Sequence, residues 1–442
     1  MSKTRALGLS EVENHIFHKE FNCSTMCLLV IRLKGPLEPG MLKQALQKVS
    51  LQNVMLQATH IEESENAFSF QFEKEMNPAS QQFDDIPFFV VKRESDHHWT
   101  RVAEQEMHKD FDKYLWRTTF LHSEGKDEHH EILMVFHHSI TDGVSFSGFA
   151  NDLLTYCDEL SKGNSKPKLK SLIPLLPPVE DLLFKPGEKL DEKDSTDQEE
   201  PSLTAWPFQA FEELPKRRTR HIFRVIDQET LLAVRTKAKS ENASINGALT
   251  ASLLLASSDA LNIDRAEKQQ ALVGSAVNLR NFCEPPISPD YFGCFANMVF
   301  TTHPIHESLS FWDVARQCHE EVKNEINTRH AQGFLDADFD KNSLAASMIK
   351  EVSDMNQTRE FAVGPCISNL GVLKFPEKYG PFELKEMYFN TTQVSAHFMC
   401  YLYLITLHNK AYFSLSYTFP LISEKSAEAI ADNFLAMLEH ET

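Results

Sequence analysis

The chain has no apolar run of the about 20 residues that a bilayer-spanning helix needs. Residues Met1 to Ser10 lack the apolar core of a secretory signal. Basic residues are in deficit, with 44 Lys and Arg against 63 Asp and Glu, a net charge of -19. Phosphate backbones are held by basic clusters, so a nucleic-acid partner is excluded and nonspecific adhesion to anionic membranes is disfavoured. No Gly-rich phosphate loop and no zinc-ligand spacing occurs, so no metal site is expected. The eight cysteines are scattered without paired spacing, Cys23 and Cys27 being the closest pair. They read as free thiols packing as small apolar groups in a reducing compartment, which predicts a cytoplasmic protein with idle sequons at Asn22, Asn242, Asn356 and Asn390. No internal repeat is present. What remains is ordinary globular composition, 42% hydrophobic and 24% charged, in 442 residues, enough for two domains with buried cores.

One segment stands out. A short apolar run from Glu131 to Phe136 ends in His137 and His138, with Asp142 and Gly143 following. The run reads as a buried strand. Beyond it, Phe146, Phe149, Leu153, Leu154, Cys157 and Leu160 recur at helical spacing. The motif therefore falls in a strand-to-helix loop, where a scaffold holds side chains rigidly at the mouth of a cleft. Imidazole titrates nearest neutral pH and suits general-base work on a hydroxyl or amine. Neighbours on extended chain face opposite sides, so one histidine enters the cleft and the other turns away. Asp142 is short enough to turn back and fix the loop. Gly143 permits positive φ or close approach of a ligand. The histidine pair lacks the i, i+4 spacing of a zincin, so metal ligation is a poor reading, and a chance pairing on a loop is the bland one. The run Gly143 to Gly148 is one residue too long for a serine nucleophile elbow.

The His-His-x-x-x-Asp-Gly pattern at 137–143 resembles the signature of the CoA-dependent acyltransferase superfamily. That group includes chloramphenicol acetyltransferase, condensation domains, plant BAHD acyltransferases, alcohol acetyltransferase-like proteins and mycobacterial lipid acyltransferases. Other pieces occur in that superfamily's order: Leu9, Ser10 and Glu13 near the start; Gly35 and Leu37 before a helix at Leu42–Leu46; Val277 to Arg280; Asp290 to Phe295; and Ser368, Asn369 and Gly371. The match spans nearly the whole chain. The BAHD Asp-Phe-Gly-Trp-Gly sequence is absent, which argues against a plant-type member; the segment at Tyr291 also departs in detail, lacking the preceding glycine and carrying Cys294 where BAHD chains have asparagine.

The resemblance implies an α+β fold: two chloramphenicol-acetyltransferase-like mixed-sheet halves forming a pseudo-dimeric V with an interdomain tunnel. Residues 1–165 are then the half carrying the motif, 166–215 a crossover linker, and 216–442 the second half. The linker is rich in Pro, Lys, Glu and Asp, and its tract from Lys189 to Glu200 has only Leu190 as an apolar residue, so it reads as disordered. Periodicity predicts a strand over His221–Ile226, a helix capped by Asp227, a buried helix capped by Ser244, a hairpin turning at His408, Asn409 and Lys410, and a closing helix from Ser426 to Leu438.

The implied activity is acyl transfer from acyl-CoA, a co-substrate rather than a bound cofactor, to a hydroxyl or amine of a small-molecule or lipid acceptor, with O-acylation favoured. His138 would be the base and Asp142 would orient the loop, pairing with Arg280 as in relatives where this aspartate makes a structural ion pair. His137 and Gly143 belong to the motif. Ser368, Asn369 and Gly371 are candidates for pantetheine or oxyanion contacts, a capped strand end being the plainer reading. Lys216, Arg217, Arg218 and Arg220, the densest basic run, are candidates for the CoA phosphates. A monomer is expected. The alternatives are a stand-alone condensation domain using a carrier-protein thioester, and a catalytically silent binding protein of the same fold.

Overall fold

The computed structural model describes residues 4–64, 67–72, 85–123, 129–164, 171–183, 203–263, 265, 269–332 and 341–442. The tract 189–200 lies outside them.

Two six-stranded mixed sheets organise the α+β chain. The first runs in the order Lys378–Tyr379, Phe382–Thr391, Met26–Lys34, His129–His137, Trp116–His122, Phe88–Lys92. Its pairings are antiparallel except the last, which is parallel. The second runs Ala296–Pro304, Gln270–Asn278, Val363–Val372, Phe398–Leu407, Lys410–Phe419, Arg218–Ile226. There Val363–Val372 is parallel to both neighbours. The chain division is not the sheet division. Strand Phe382–Thr391 leaves the second half and pairs with Met26–Lys34 along nearly its whole length. The first sheet is thus completed by residues far along the chain, which ties the halves together by backbone hydrogen bonds as well as by packing.

Strand Phe398–Leu407 shows how the sequence builds the seam. Side chains alternate faces with a period of two. Tyr401, Tyr403 and Ile405 join the core that contains the first sheet, while Cys400, Leu402 and Leu404 join the core under the second sheet's helices. Both faces are buried, which is why the strand reads as a nearly unbroken apolar run. It turns at His408 and Asn409, whose φ values of 49° and 63° fit a two-residue hairpin with both centres left-handed. Lys410 is the first residue of the return strand.

Helices cover the outer face of each sheet. Pro39–Gln52 and Gly143–Ser161 supply Leu42, Leu46, Phe146, Phe149 and Leu153 to the first core. Ile245–Ala260, Phe311–Gln332 and Glu424–His440 cover the second sheet. The predicted caps form: Asp227 accepts from Thr230 N–H, and Ser244 from Gly247 N–H. Each fully buried Leu, Val or Phe contributes roughly 1.5–3 kcal/mol of transfer free energy.

Candidate active site

Strand His129–His137 is buried almost throughout and delivers the two histidines to a short turn before helix Gly143–Ser161. They part as neighbours on extended chain must. His137 turns away from the cavity. Its Nδ1 accepts from Ser139 N–H at 3.1 Å, and its ring packs against His18, His15 and Phe111 at centroid distances of 4.6, 5.7 and 6.2 Å. Burial, then the neighbouring His18 and His15, hold it well below the ordinary histidine value. His137 is a neutral core residue.

His138 lines a cavity of about 180 Å³ between the two halves. Its walls include Asn14, Cys27 and Phe389 on the first-sheet side and Asn297, Ser368 and Tyr401 on the second-sheet side. Burial lowers the imidazole pKa, partly opposed by hydrogen bonding to its own backbone, the Asp142 charge and the Thr141 backbone. At neutral pH the ring is therefore neutral, the form a base requires. Cys294 Sγ stands 4.0 Å from Nδ1. Burial holds that thiol well above its ordinary pKa, so it is protonated and a weak nucleophile.

Asp142 and Arg280 form a buried ion pair, 2% and 1% exposed. Arg280 Nη1 donates to Asp142 Oδ2 at 2.6 Å and Nη2 to Oδ1 at 3.1 Å. The aspartate also caps its helix, accepting from Ser145 N–H at 2.8 Å, and accepts from Phe295 N–H at 2.8 Å. Burial works to raise its pKa, but Arg280 and these N–H donors hold it below the ordinary carboxylate value. Arg280 is further held by Ser145 Oγ at 2.9 Å and the Tyr291 carbonyl at 3.2 Å, and lies 4.6 Å from the Phe295 ring centroid. Segment 290–295 thus wraps the pair and brings Cys294 to His138. Asp142 is thus tied into the loop by Arg280 and by two backbone N–H groups.

Of the two roles expected of Gly143, positive φ does not apply: it begins a regular helix, and it lines the His138 cavity. A Cβ there would meet Leu370 Cδ2 at 2.6 Å and Phe389 Cε2 at 3.2 Å, so side chains of the opposing strands impose the glycine.

Ser368, Asn369 and Gly371 separate. Ser368 lines the His138 cavity, and among the described residues its hydroxyl makes no hydrogen bond. Asn369 and Gly371 line another groove, of about 470 Å³, on the helix side of the second sheet, with Val372, Leu232 and Arg235. Asn369 Oδ1 accepts from Gly371 N–H at 2.9 Å, and Gly371 has φ of 70°. Pairing with Phe398–Leu407 slips in register between Asn369 and Val372, next to Ser368, so consecutive residues Ser368 and Asn369 line hollows on opposite faces of the sheet.

The basic run does not face the cavity. Arg217 is fully buried, bonding the Glu212 carbonyl at 2.8 Å and Asn356 Oδ1 at 2.5 Å. Lys216 pairs with Glu212, Arg218 donates to the Pro215 and Arg217 carbonyls, and Arg220 pairs with Glu424 above the Phe419 ring. Arg217 and Arg220 are taken by partners far along the chain, Lys216 and Arg218 are exposed with local partners only, and none of the four lines the His138 cavity.

The reading from sequence missed the wall built by helix Leu9–Glu20. Ser10, Glu13, Asn14 and Phe17 all line the cavity. Their spacing of three, four and seven is one helical face, a signal that was available.

Two family models match the chain: the condensation domain over residues 16–173, and the phthiocerol/phthiodiolone dimycocerosyl transferase C-terminus over residues 217–385. Among solved structures, the trichothecene 15-O-acetyltransferase TRI3 of Fusarium sporotrichioides is similar with a TM-score of 0.74 at 14% identity, covering 99% of this chain and 95% of that one. The epimerization domain of the third module of tyrocidine synthetase B gives 0.67 at 14% identity, covering 100% and 97%. Polyketide synthase associated protein 5 of Mycobacterium tuberculosis gives 0.64 at 13% identity, covering 98% and 97%. At these identities the likeness is one of fold. No curated protein matches the chain.

Proposed function

We propose that this chain, a member of the CoA-dependent acyltransferase superfamily by its two family matches and its fold, transfers an acyl group from acyl-CoA to a hydroxyl of a small-molecule or lipid acceptor. The observation that carries the reading is His138: a neutral imidazole in a cavity lined by both halves, on a loop locked by a buried ion pair. His138 takes the proton of the acceptor hydroxyl as its oxygen attacks the thioester carbonyl. The carbon becomes tetrahedral and its oxygen takes the negative charge. Collapse expels the CoA thiolate, which recovers the proton from His138. The free Ser368 hydroxyl is the candidate donor to that oxyanion. The thioester is already activated, so no acyl-enzyme is required, and the protonated Cys294 is not a candidate nucleophile.

The donor arm has a route in this reading. Pantetheine lies in the outer groove and passes the sheet at the register shift of Asn369–Val372, beside Ser368, to bring its thioester to the cavity. Release of CoA thiol from acetyl- and longer acyl-CoAs, with hydroxyl and amine acceptors compared, tests the proposal. A requirement for a phosphopantetheinylated carrier protein would favour the second reading, a stand-alone condensation domain, which the match over residues 16–173 supports. No helix among the described residues is long and apolar enough to cross a membrane.

A further inference from the structure

The wall formed by helix Leu9–Glu20 is chemically unlike the rest of the cavity. A helical face turned into protein is normally apolar. This one presents Ser10, Glu13, Asn14 and Phe17. Asn14 is occupied, its amide donating to the Ser10 carbonyl at 2.8 Å and reaching Cys294 Sγ at 3.8 Å. Ser10 and Glu13 are not. Ser10 is 5% exposed, and its buried hydroxyl has no hydrogen-bond partner. The Glu13 carboxyl makes no hydrogen bond or ion pair among the described residues. An unpartnered buried hydroxyl is costly, and a half-buried carboxyl without a counter-charge adds to that cost.

Charge around Glu13 is unbalanced in one direction. Glu180, in the short helix Glu180–Leu183, bears on it electrostatically, and its Oε2 is also buried without a partner. Burial, then Glu180, raise the Glu13 pKa to about 7, with only His397 opposing. His397 is itself engaged by Glu351 at 3.1 Å, and on Glu13's own helix Glu11 is neutralised by Arg5 at 2.7 Å. Lys19 and His15 of that helix are paired with Glu63. No cation of the described chain is committed to Glu13.

We propose that Ser10 and Glu13 form the acceptor-recognition subsite of this cavity and that the acceptor is a hydroxyl compound carrying a protonated amine. This rests on the acyl-transfer reading for the word acceptor. An ammonium group brings the positive charge that the Glu13 and Glu180 carboxyls lack and an N–H donor for Glu13, while Ser10 Oγ is free to bond the hydroxyl end of the same molecule. The Phe17 ring in the same wall offers a face that suits a cation. A neutral alcohol would leave the carboxyl without its counter-charge.

The test uses the full chain and two probes of matched shape, dimethylaminopropanol and its carbon isostere isohexanol. Calorimetry near pH 7 is expected to show the amine binding about tenfold or more tightly, the range of a charge-assisted hydrogen bond. Binding should release protons, because a cation beside Glu13 lowers the pKa of a carboxyl that is partly protonated at that pH. Glu13→Gln should remove both the preference and the proton release. Glu180→Gln should weaken amine binding less and keep the preference. Equal binding of the two probes, binding of neither, or a preference surviving in folded Glu13→Gln would overturn the inference. Thiol release from acetyl-CoA separates the two ideas. Amine-selective binding without transfer from any acyl-CoA would sink the transferase reading alone. Transfer to isohexanol as readily as to the amine would sink this inference alone.

Discussion

Strand His129–His137 runs between two hollows that obey opposite rules. One lies beside its first residues, between the sheets, and has a volume of about 850 Å³. The other, at His138, is about 180 Å³. The larger is lined by charge, and most of its charges are committed, Glu104 being the exception: it makes no ion pair among the described residues, and burial raises its pKa. Glu131, fully buried, accepts from Arg93 Nε at 2.9 Å and from Arg32 Nε at 3.4 Å. Arg32 reaches Glu386 at 2.7 Å, and Arg224 pairs with Glu428 and Asp432. In the smaller hollow His138 is neutral, and the Ser10, Glu13 and Ser368 side chains have no hydrogen-bond partner among the described residues. Size does not locate the chemistry. A closed set of ion pairs holds structure together, whereas uncommitted polar groups in an enclosed space are available to a ligand.

The sharpest break of this comparison removes one group from the small hollow. His138→Ala should lower turnover by ~10²–10⁴, the usual worth of a positioned base, with a melting temperature close to that of the parent. His137→Ala should do the reverse, disturbing packing against His18 and Phe111 more than turnover. Loss of activity in a folded His137→Ala protein, with His138→Ala active, would exchange the roles assigned to the two.

Next come the ion pairs. Asp142→Asn and Glu131→Gln each remove one member of a buried charge set, which typically destabilises by ~3–5 kcal/mol. Denaturant unfolding should show both losses. Only Asp142→Asn should also reduce turnover per folded molecule, because only it holds the His138 loop. Asp142 has a folded pKa below its ordinary value, so its contribution is present above about pH 4 and is lost as the pH falls through the folded pKa. The acid limb of the parent's stability curve should flatten in Asp142→Asn. An unchanged limb would mean that other carboxylates dominate it.

A smaller effect is expected in the pH profile. Burial lowers the His138 pKa, so the neutral form predominates at pH 7. With a hydroxyl acceptor that carries no titratable group, kcat/KM should rise with pH through a value below the ordinary 6.5 and then level. A limb that rises above pH 7 and disappears in Glu13→Gln would instead assign the titration to Glu13, whose pKa is about 7.

Much of the fold was legible because it is local. Period-two and helical spacings, the Asp227 and Ser244 caps, and the His408–Asn409 turn are set by neighbours in sequence. The histidine pair was legible for the same reason: alternation along extended chain sends one side chain in and the other out. What was not legible depends on partners far along the chain. Nothing within Phe382–Thr391 says that it pairs with Met26–Lys34 in the other sheet. Gly143 is required by Leu370 and Phe389, not by its own dihedral. The basic run was misread because Lys and Arg density reports charge but not commitment, and Glu212, Asn356 and Glu424 claim those side chains in the fold. The Ser10–Phe17 face was readable and overlooked, since a polar stripe on a helix ordinarily means solvent.

The gentlest test concerns the outer groove, where the two rules meet. The phosphates of acyl-CoA need a cation that is not already committed, and the basic run has none facing the route. Arg235 lines the groove with Leu232, Asn369 and Val372, is exposed, and makes no ion pair among the described residues. It is a better candidate than the residues singled out by density. An exposed cation acts through a screened interaction, so the effect should be modest. Arg235→Glu should raise the KM for acyl-CoA several-fold at low salt and much less at high salt, with kcat and the acceptor KM unchanged. A KM indifferent to both charge reversal and ionic strength would mean that the donor does not enter by the slipped strands, and the commitment rule would then distinguish the two inner hollows without extending to the outer surface.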